Sequence, residues 1–439
     1  MASPSLAARG QRLGLRAIAK LGGLSAMADP RVRATVERLL AGAAHQGFRA
    51  QLVAGRAFAP KPGSGAAVRT EPVRPRGLFD LTPTEDQAML QAAAKELADE
   101  VLRPAGAQAD TGRAVPATVR AAAAEMGLHV LGVPVGLDGI AEEASAVASC
   151  LVVEELARGD LGLAVGLLAP AAVATVLAAY GSPGQQATYL PHFTGEAPVP
   201  VAALVLQEPQ PLFDALAPRT TGRVTGDRIV LNGTKALVPG ADSAELLVVS
   251  ALVDGEPRLV IIEAGVDGLS HEDDPAMGIR AARTGRLILE DVTVARSALL
   301  GTTQDHADVV RRARLAWSAA AVGVAQAALD QLVPYTTTRK AFGEPIAHRQ
   351  AVAFAVADIA IELEALRLVV WKAAARLDAG TDAADLVAKA RALAATHGAM
   401  IGSQAVQLLG GHGFVKDWDN ERWYRDLRGA GLLEGVLVV

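Results

Sequence analysis

The chain has a single cysteine, Cys150, in 439 residues, so it can form no internal disulfide and no cluster of thiolates to hold a metal. Set in AVASCLVVEELA, that thiol reads as a buried helix residue. Aromatic residues are scarce at 4%, although hydrophobic residues make up 51%. Such cores must be built from Ala, Val and Leu, on helices that approach closely. Charge of one sign is also lacking: the net charge is −5, spread along the chain, which argues against a nucleic-acid surface or a basic membrane-binding face. There is one long apolar run, Leu161 to Tyr180. Pro170 interrupts it, which predicts two buried helices meeting at the proline rather than a membrane span, and hence a protein not integral to a membrane.

The length implies two or three domains. Residues 1–77 read as an appendage. Its first 28 residues hold Arg9, Arg12, Arg16 and Lys20 without an acid, a pattern shared with organellar transit peptides. Ala- and Arg-rich composition throughout favours instead a cytoplasmic protein with a basic extension. Asp29 and Pro30 predict a helix cap, and a Pro/Gly-rich linker follows, APKPGSGAAVRTEPVRPRG. Residues 78–203 are helical in pattern, with Thr82 or Thr84 as the first cap and a stop at Pro104. Over 204–303 the period changes to short β-branched segments, RIVLNGTKALV, AELLVVSALV, RLVIIEA and GRLILEDVTV, with a tight hairpin expected at Asn232-Gly233. From 304 to 439 three long amphipathic helices are expected. The fold class is mainly α with a β insert: an N-terminal α-helical domain, a middle β-barrel-like domain and a C-terminal four-helix bundle.

One carboxylate stands out locally. Glu434 lies among Leu432, Leu433, Gly435 and Val436, eight residues past the pair Arg425-Asp426. Apolar neighbours disfavour its charged form and would poise it as a general base; the alternative is a solvated surface acid.

Six segments, in order, carry a resemblance. AAEMGLHVLGVPVGLDGI, GDRIVLNGTK, MGIRAARTGRLILEDVTVARSALLG, RKAFGEPIAHRQ, QLLGGHGF and RDLRGAGLLEG resemble the flavin-dependent acyl-CoA dehydrogenases from about residue 78 onward. The resemblance implies FAD as cofactor, an acyl-CoA substrate, an electron-transfer flavoprotein or similar acceptor, and a homo- or heterotetramer. It makes Glu434 the base that removes the proton next to the thioester carbonyl while hydride leaves for flavin N5. It puts Arg314 near the substrate's pantetheine, where the other reading is a helix-face partner of Asp305 or Asp308. Arg339 matches an arginine that meets the dinucleotide pyrophosphate, a role suited to a planar guanidinium. Phe342 stands beside it, Gln350 and Gln407 match amides facing the cofactor, and Gly410, Gly411 and Gly413 would let backbone approach a neighbouring chain's flavin. His412 has no second ligand at metal spacing.

Two stretches depart from the family pattern. Gln207-Glu208-Pro209-Gln210-Pro211-Leu212-Phe213-Asp214 lacks the turn glycines, and Phe213 replaces a small hydroxyl residue near the cofactor phosphate. Leu237 and Pro239 fall where a stacking Trp and a flavin-facing Thr are usual, and proline offers neither N–H nor hydroxyl. The expected function is therefore an FAD-dependent acyl-CoA dehydrogenase. The alternatives are a flavin-poor subunit that completes a neighbour's site, and a same-fold flavin oxygenase.

Overall fold

A computed structural model describes residues 81–439, apart from 143 and 196; the basic segment, the Asp29 cap and the linker lie outside the described residues. Thr84 caps α1 (Glu85–Leu97), exchanging bonds with Gln87 in a capping box. The expected stop at Pro104 does not occur. Proline cannot donate to the carbonyl four residues back; a π-turn at Ala98–Leu102 takes up the mismatch, and the helix resumes as α2 (Arg103–Gly112). After α3 (Ala117–Glu125), Ser145 caps α4 (Ala146–Gly159) and Asp160 caps α5 (Leu161–Tyr180).

Helix α5 is continuous, contrary to the expected break at Pro170. The proline costs one backbone bond, but Val165, Leu168, Ala169, Ala172 and Val173 are all buried, and their packing holds the helix through it. That burial accounts for its hydropathy: it is a core helix of this protein.

The central segment forms β1 (Ala202–Val205), β2 (Thr221–Thr225), β3 (Arg228–Pro239), β4 (Leu246–Val253), β5 (Glu256–Glu263), β6 (Leu269–Asp273), β7 (Thr284–Ala295) and β8 (Leu299–Leu300). They pair in the order β6-β7-β3-β2-β4-β5-β8, and β1 runs parallel to β4. Edges β6 and β8 do not pair, so the barrel-like wrap is not closed by hydrogen bonds. Asn232-Gly233 makes no hairpin; it is a bulge inside β3, where a Cβ on Gly233 would stand 2.7 Å from the Thr220 hydroxyl. The tight turns fall at Gly226-Asp227 and at Asp254-Gly255, where positive φ at Gly226, Asp254 and Gly255 suits two-residue hairpin loops.

The last segment holds α6 (Thr303–Thr338), α7 (Gln350–Asp378), α8 (Ala384–Leu393), α9 (Ala399–Leu408) and α10 (Asn420–Ala430), with a small hairpin, β9 (Lys340–Ala341) and β10 (Glu344–Pro345), between α6 and α7. Alanines on α6, including Ala316, Ala319, Ala320 and Ala327, are fully buried, which is how a chain poor in aromatics packs its helices. Cys150 is buried in α4.

Helix α6 is pinned to the sheet by a buried pair: His306 Nε2 lies 2.8 Å from Ser250 Oγ on β4. Burial, with the Lys235 charge nearby, pushes His306 down to about 4. The unfolded imidazole, ordinarily at 6.5, therefore takes up its proton first, and the stability that depends on neutral His306 is present above 6.5 and lost as pH falls toward 4. His306→Gln should flatten the dependence of unfolding free energy on pH between 4 and 6.5, measured by urea denaturation.

Candidate active site

Glu434 is positioned by helix α10. Arg425 on that helix bonds both oxygens of Asp110 on α2, at 2.9 and 3.0 Å, and the carbonyl of Met277. Asp426 accepts the N–H of Ile279 at 2.6 Å. The Arg425-Asp426 pair thus locks α10 to both preceding segments of the fold. Just beyond the helix, a Cβ on Gly431 would stand 2.2 Å from the backbone nitrogen of Ala395, so only glycine lets the chain pass this close to the end of α8. The Glu434 N–H donates to Gln207 Oε1 at 3.1 Å, Trp317 Nε1 donates to the Gly435 carbonyl at 2.8 Å, and the Val436 N–H donates to Leu204 on β1 at 2.9 Å. Val436 has φ +65°, a left-handed conformation that a β-branched residue adopts only under constraint.

Glu434 is 3% exposed, in keeping with the burial expected from its sequence neighbours, but its surroundings are not apolar. Arg314 donates through Nε at 3.0 and 3.1 Å and through Nη2 at 2.8 Å; Arg391 Nη2 lies 2.8 Å from the same Oε1. The apolar residues flanking Glu434 in sequence point elsewhere, and the guanidiniums come from α6 and α8, about 120 and 43 positions earlier in the chain. Arg314 pairs with neither Asp305 nor Asp308; its second partner is Asp214, at 3.2 Å. Arg314 loses hydration, yet the carboxylates of Glu434 and Asp214 hold it above the usual arginine range. Burial takes Arg391 below that range, against the pull of Glu434.

Asp214 reaches Arg314 because Glu208 organises the loop before it. The Glu208 carboxylate accepts from the backbone of Arg219 and Thr220, the Thr220 hydroxyl at 2.7 Å and Lys235 Nζ at 2.8 Å. Lys235 and Glu208 are both buried. Burial pushes Lys235 down to about 8 against the attraction of Glu208. Glu208 stays below the carboxylate range despite burial, held there by Lys235 and Thr220. Phe213 turns inward and packs against the cluster containing Leu204, Leu206 and Ala313. Leu237 lies at a bulge with φ +55°, its N–H bonded to Asp274.

The other candidates gather at one end of the helical bundle. Tyr335 on α6 bonds the Leu409 carbonyl at 3.1 Å and His412 Nδ1 at 3.0 Å, which ties the end of α6 to the turn Gly410–Phe414. Arg339 follows four residues later, its carbonyl accepting from Ile346 at 2.9 Å, just before Gln350 opens α7. Arg339, Gln350, Gln407, Gly410 and Gly411 are exposed, and Phe342 is 95% exposed. A Cβ on Gly410 or Gly411 would meet nothing within 4 Å. Gly413 is different: it is packed against the Val406 carbonyl. No hydrogen bond or ion pair among the described residues joins this group to Glu434.

A cavity of about 680 Å³ lies elsewhere again. It opens between α3, α5 and the sheet, reaching Pro239, with Arg120, His129, Asp242 and Arg283 as its charged or titratable lining; neither Glu434 nor Arg314 lines it. Sequence reasoning missed Arg391 altogether, and gave Asp214 and Lys235 no role. Arg391 had no local signal, being one cation on an exposed-looking helix.

Known proteins share this three-part architecture. The models of the acyl-CoA dehydrogenase N-terminal, middle and C-terminal domains match residues 84–196, 203–292 and 307–437. The chain is 32% identical over 364 residues to the mitochondrial short-chain specific acyl-CoA dehydrogenase of Bos taurus, covering 80% of this chain and 87% of that protein. It is 32% identical to the acryloyl-CoA reductase (NADH) of Anaerotignum propionicum, covering 82% and 93%. The structure of butyryl-CoA dehydrogenase from Megasphaera elsdenii superposes with a TM-score of 0.73 at 25% identity, covering 80% of this chain and 95% of that one. With all three domains matched in order over most of its length, this chain belongs to the acyl-CoA dehydrogenase family, oxidoreductases acting on a CH–CH unit.

Proposed function

We propose that this protein oxidises an acyl-CoA thioester at its α and β carbons with FAD, and that Glu434 takes the α-proton. The observation that carries this reading is a carboxylate 3% exposed, gripped by Arg314 and fixed beside β1 through Gln207. Oε1 is bonded to both arginines, whereas Oε2 has one contact, at 3.1 Å, so Oε2 is the oxygen free to accept a proton. Asp214 gives Arg314 a second carboxylate to hold when that bond loosens. FAD, when bound, supplies the acceptor for the hydride that leaves the β carbon.

The residues present fit such a cofactor at the bundle edge. Arg339 offers a bidentate guanidinium, Gln350 and Gln407 offer amides, and Gly410-Gly411 leave open space above the backbone. Because this edge and Glu434 are separate within one chain, the reading has each site completed by a neighbouring copy in a homo- or heterotetramer. Phe354, Ile361 and Leu368, exposed at seven-residue spacing along α7, support such an assembly. Gly435 and Val436 cover Leu204 and Leu206, so a thioester reaches Glu434 when residues 435–439 shift. Electrons would then pass to an electron-transfer flavoprotein.

A second reading has a specific support: Pro239 brings no donor, and β1 beside Glu434 is covered by the chain itself. On it, the chain is a flavin-poor subunit lending Arg339 and Gly410-Gly411 to a related partner. Anaerobic titration of the purified, FAD-supplemented protein with a series of saturated acyl-CoA thioesters separates the two. Bound flavin that bleaches supports the enzyme; protein that stays colourless, and that co-purifies with a related flavin-binding chain, selects the subunit.

A further inference from the structure

We infer that Arg391 is a positioning residue for the reaction: it holds the loop Leu432–Glu434 at the register in which the Glu434 carboxylate can take a proton. The inference rests on Glu434 being the base. Its support is independent of any cofactor and comes from three bonds made by one guanidinium to three consecutive residues. Nη1 donates to the Leu433 carbonyl at 3.0 Å, Nη2 donates to the Leu432 carbonyl at 2.8 Å, and Nη2 stands 2.8 Å from Glu434 Oε1.

The loop needs such a grip. Helix α10 ends at Ala430, and Leu432 and Leu433 both turn back on the Gly429 carbonyl, which leaves their own carbonyls without helical partners. Leu432 is 61% exposed and contributes little packing. Just after the helix the chain is set by the close approach of Gly431 to Ala394 and Ala395, and that surface immediately follows the helix carrying Arg391. One element therefore sets the loop's position by contact and its orientation by charge-assisted bonds.

Arg391 and Arg314 divide the work. Arg314 bonds side chains only, and has Asp214 as an alternative partner. Among the described residues Arg391 has no second carboxylate at bonding distance; its other two bonds are to main chain. Arg314 can exchange partners during a turnover, whereas Arg391 moves only if the loop moves with it. A bidentate fork on backbone carbonyls is something lysine cannot reproduce, which separates the charge of this residue from its geometry.

The test compares Arg391→Met and Arg391→Lys with the parent protein, each loaded with FAD. Hydrogen exchange of the amides from Leu432 to Val436 is the first readout and needs no activity. Arg391→Met should raise exchange there while amides in α4 and α5 keep their protection. The second readout is flavin reduction by an acyl-CoA thioester that reduces the parent protein. The limiting rate should fall up to about 100-fold in Arg391→Met with KM within a few-fold, the signature of a misplaced base. Arg391→Lys should recover part of that rate but retain faster exchange. Unchanged exchange in this loop, or a fall in affinity with the limiting rate preserved, overturns the positioning role. Glu434→Gln, run alongside, keeps the two ideas apart: if it reduces flavin normally, the base assignment fails, whatever Arg391 does.

Discussion

Glu434→Gln is expected to lower the rate of flavin reduction by an acyl-CoA about 100- to 10,000-fold, the range that a positioned general base contributes, while bound FAD stays at the parent level. The substitution is conservative in shape. Its amide oxygen can still accept from Arg314 and Arg391, and the Glu434 N–H bond to Gln207 Oε1 belongs to the backbone, so the loop should keep its course. What is lost is the carboxylate that both guanidiniums share. Each arginine side chain is about one-fifth exposed, so water offsets part of that loss, and the folding cost should be about 1–3 kcal/mol. Rapid mixing under anaerobic conditions measures the rate, and a urea titration measures the stability. A variant that bleaches its flavin at the parent rate would sink the proposed mechanism.

The largest effect on stability is expected from Arg422→Met. Arg422 Nε bonds Asp160 Oδ2 at 2.9 Å, with side-chain exposures of 6% and 2%. Asp160 also caps α5 through the Leu163 N–H at 2.9 Å. Removing the guanidinium leaves Asp160 and Asp426 buried without it, a loss of about 3–5 kcal/mol. Asp160→Asn should cost less, because asparagine caps a helix as well as aspartate and Arg422 retains Asp419. Urea denaturation of both variants checks the order; equal costs would show that an unpaired, buried Asp160 carboxylate costs no more than the loss of its charge.

The same cluster has a pH signature opposite to that of His306. Burial, reinforced by the Asp160 charge and opposed by the Ile279 N–H, pushes Asp426 up to about 7 from its ordinary 3.8. The folded form then holds its proton where the unfolded form has lost it. This contribution to stability is complete below 3.8 and disappears as pH rises to about 7. Asp426→Asn preserves the acceptor for Ile279 and should remove that slope.

Much of the fold could be read from periodicity: the change of hydrophobic period near residue 200 and the long alanine-rich stretches after 303 correspond to real strands and helices. The local errors share one cause. Pro104, Pro170 and Asn232-Gly233 are strong local signals for ending a helix or starting a turn. In each case the surrounding structure outweighed them, by a π-turn, by core packing and by a bulge. The burial of Glu434 could be expected from the apolar residues beside it, but its arginine partners could not. Arg391 could not be found, because nothing along α8 shows which loop its guanidinium will reach.

The sequence by itself determined the class of elements, since hydrophobic period acts over a few residues; for Glu434 it offered apolar neighbours that the fold turns elsewhere. Only the tertiary structure decided what that carboxylate meets. Coulomb and hydrogen-bond energies depend on distance in space, and folding brought Arg314, Asp214 and Arg391 to one point from three separate parts of the chain.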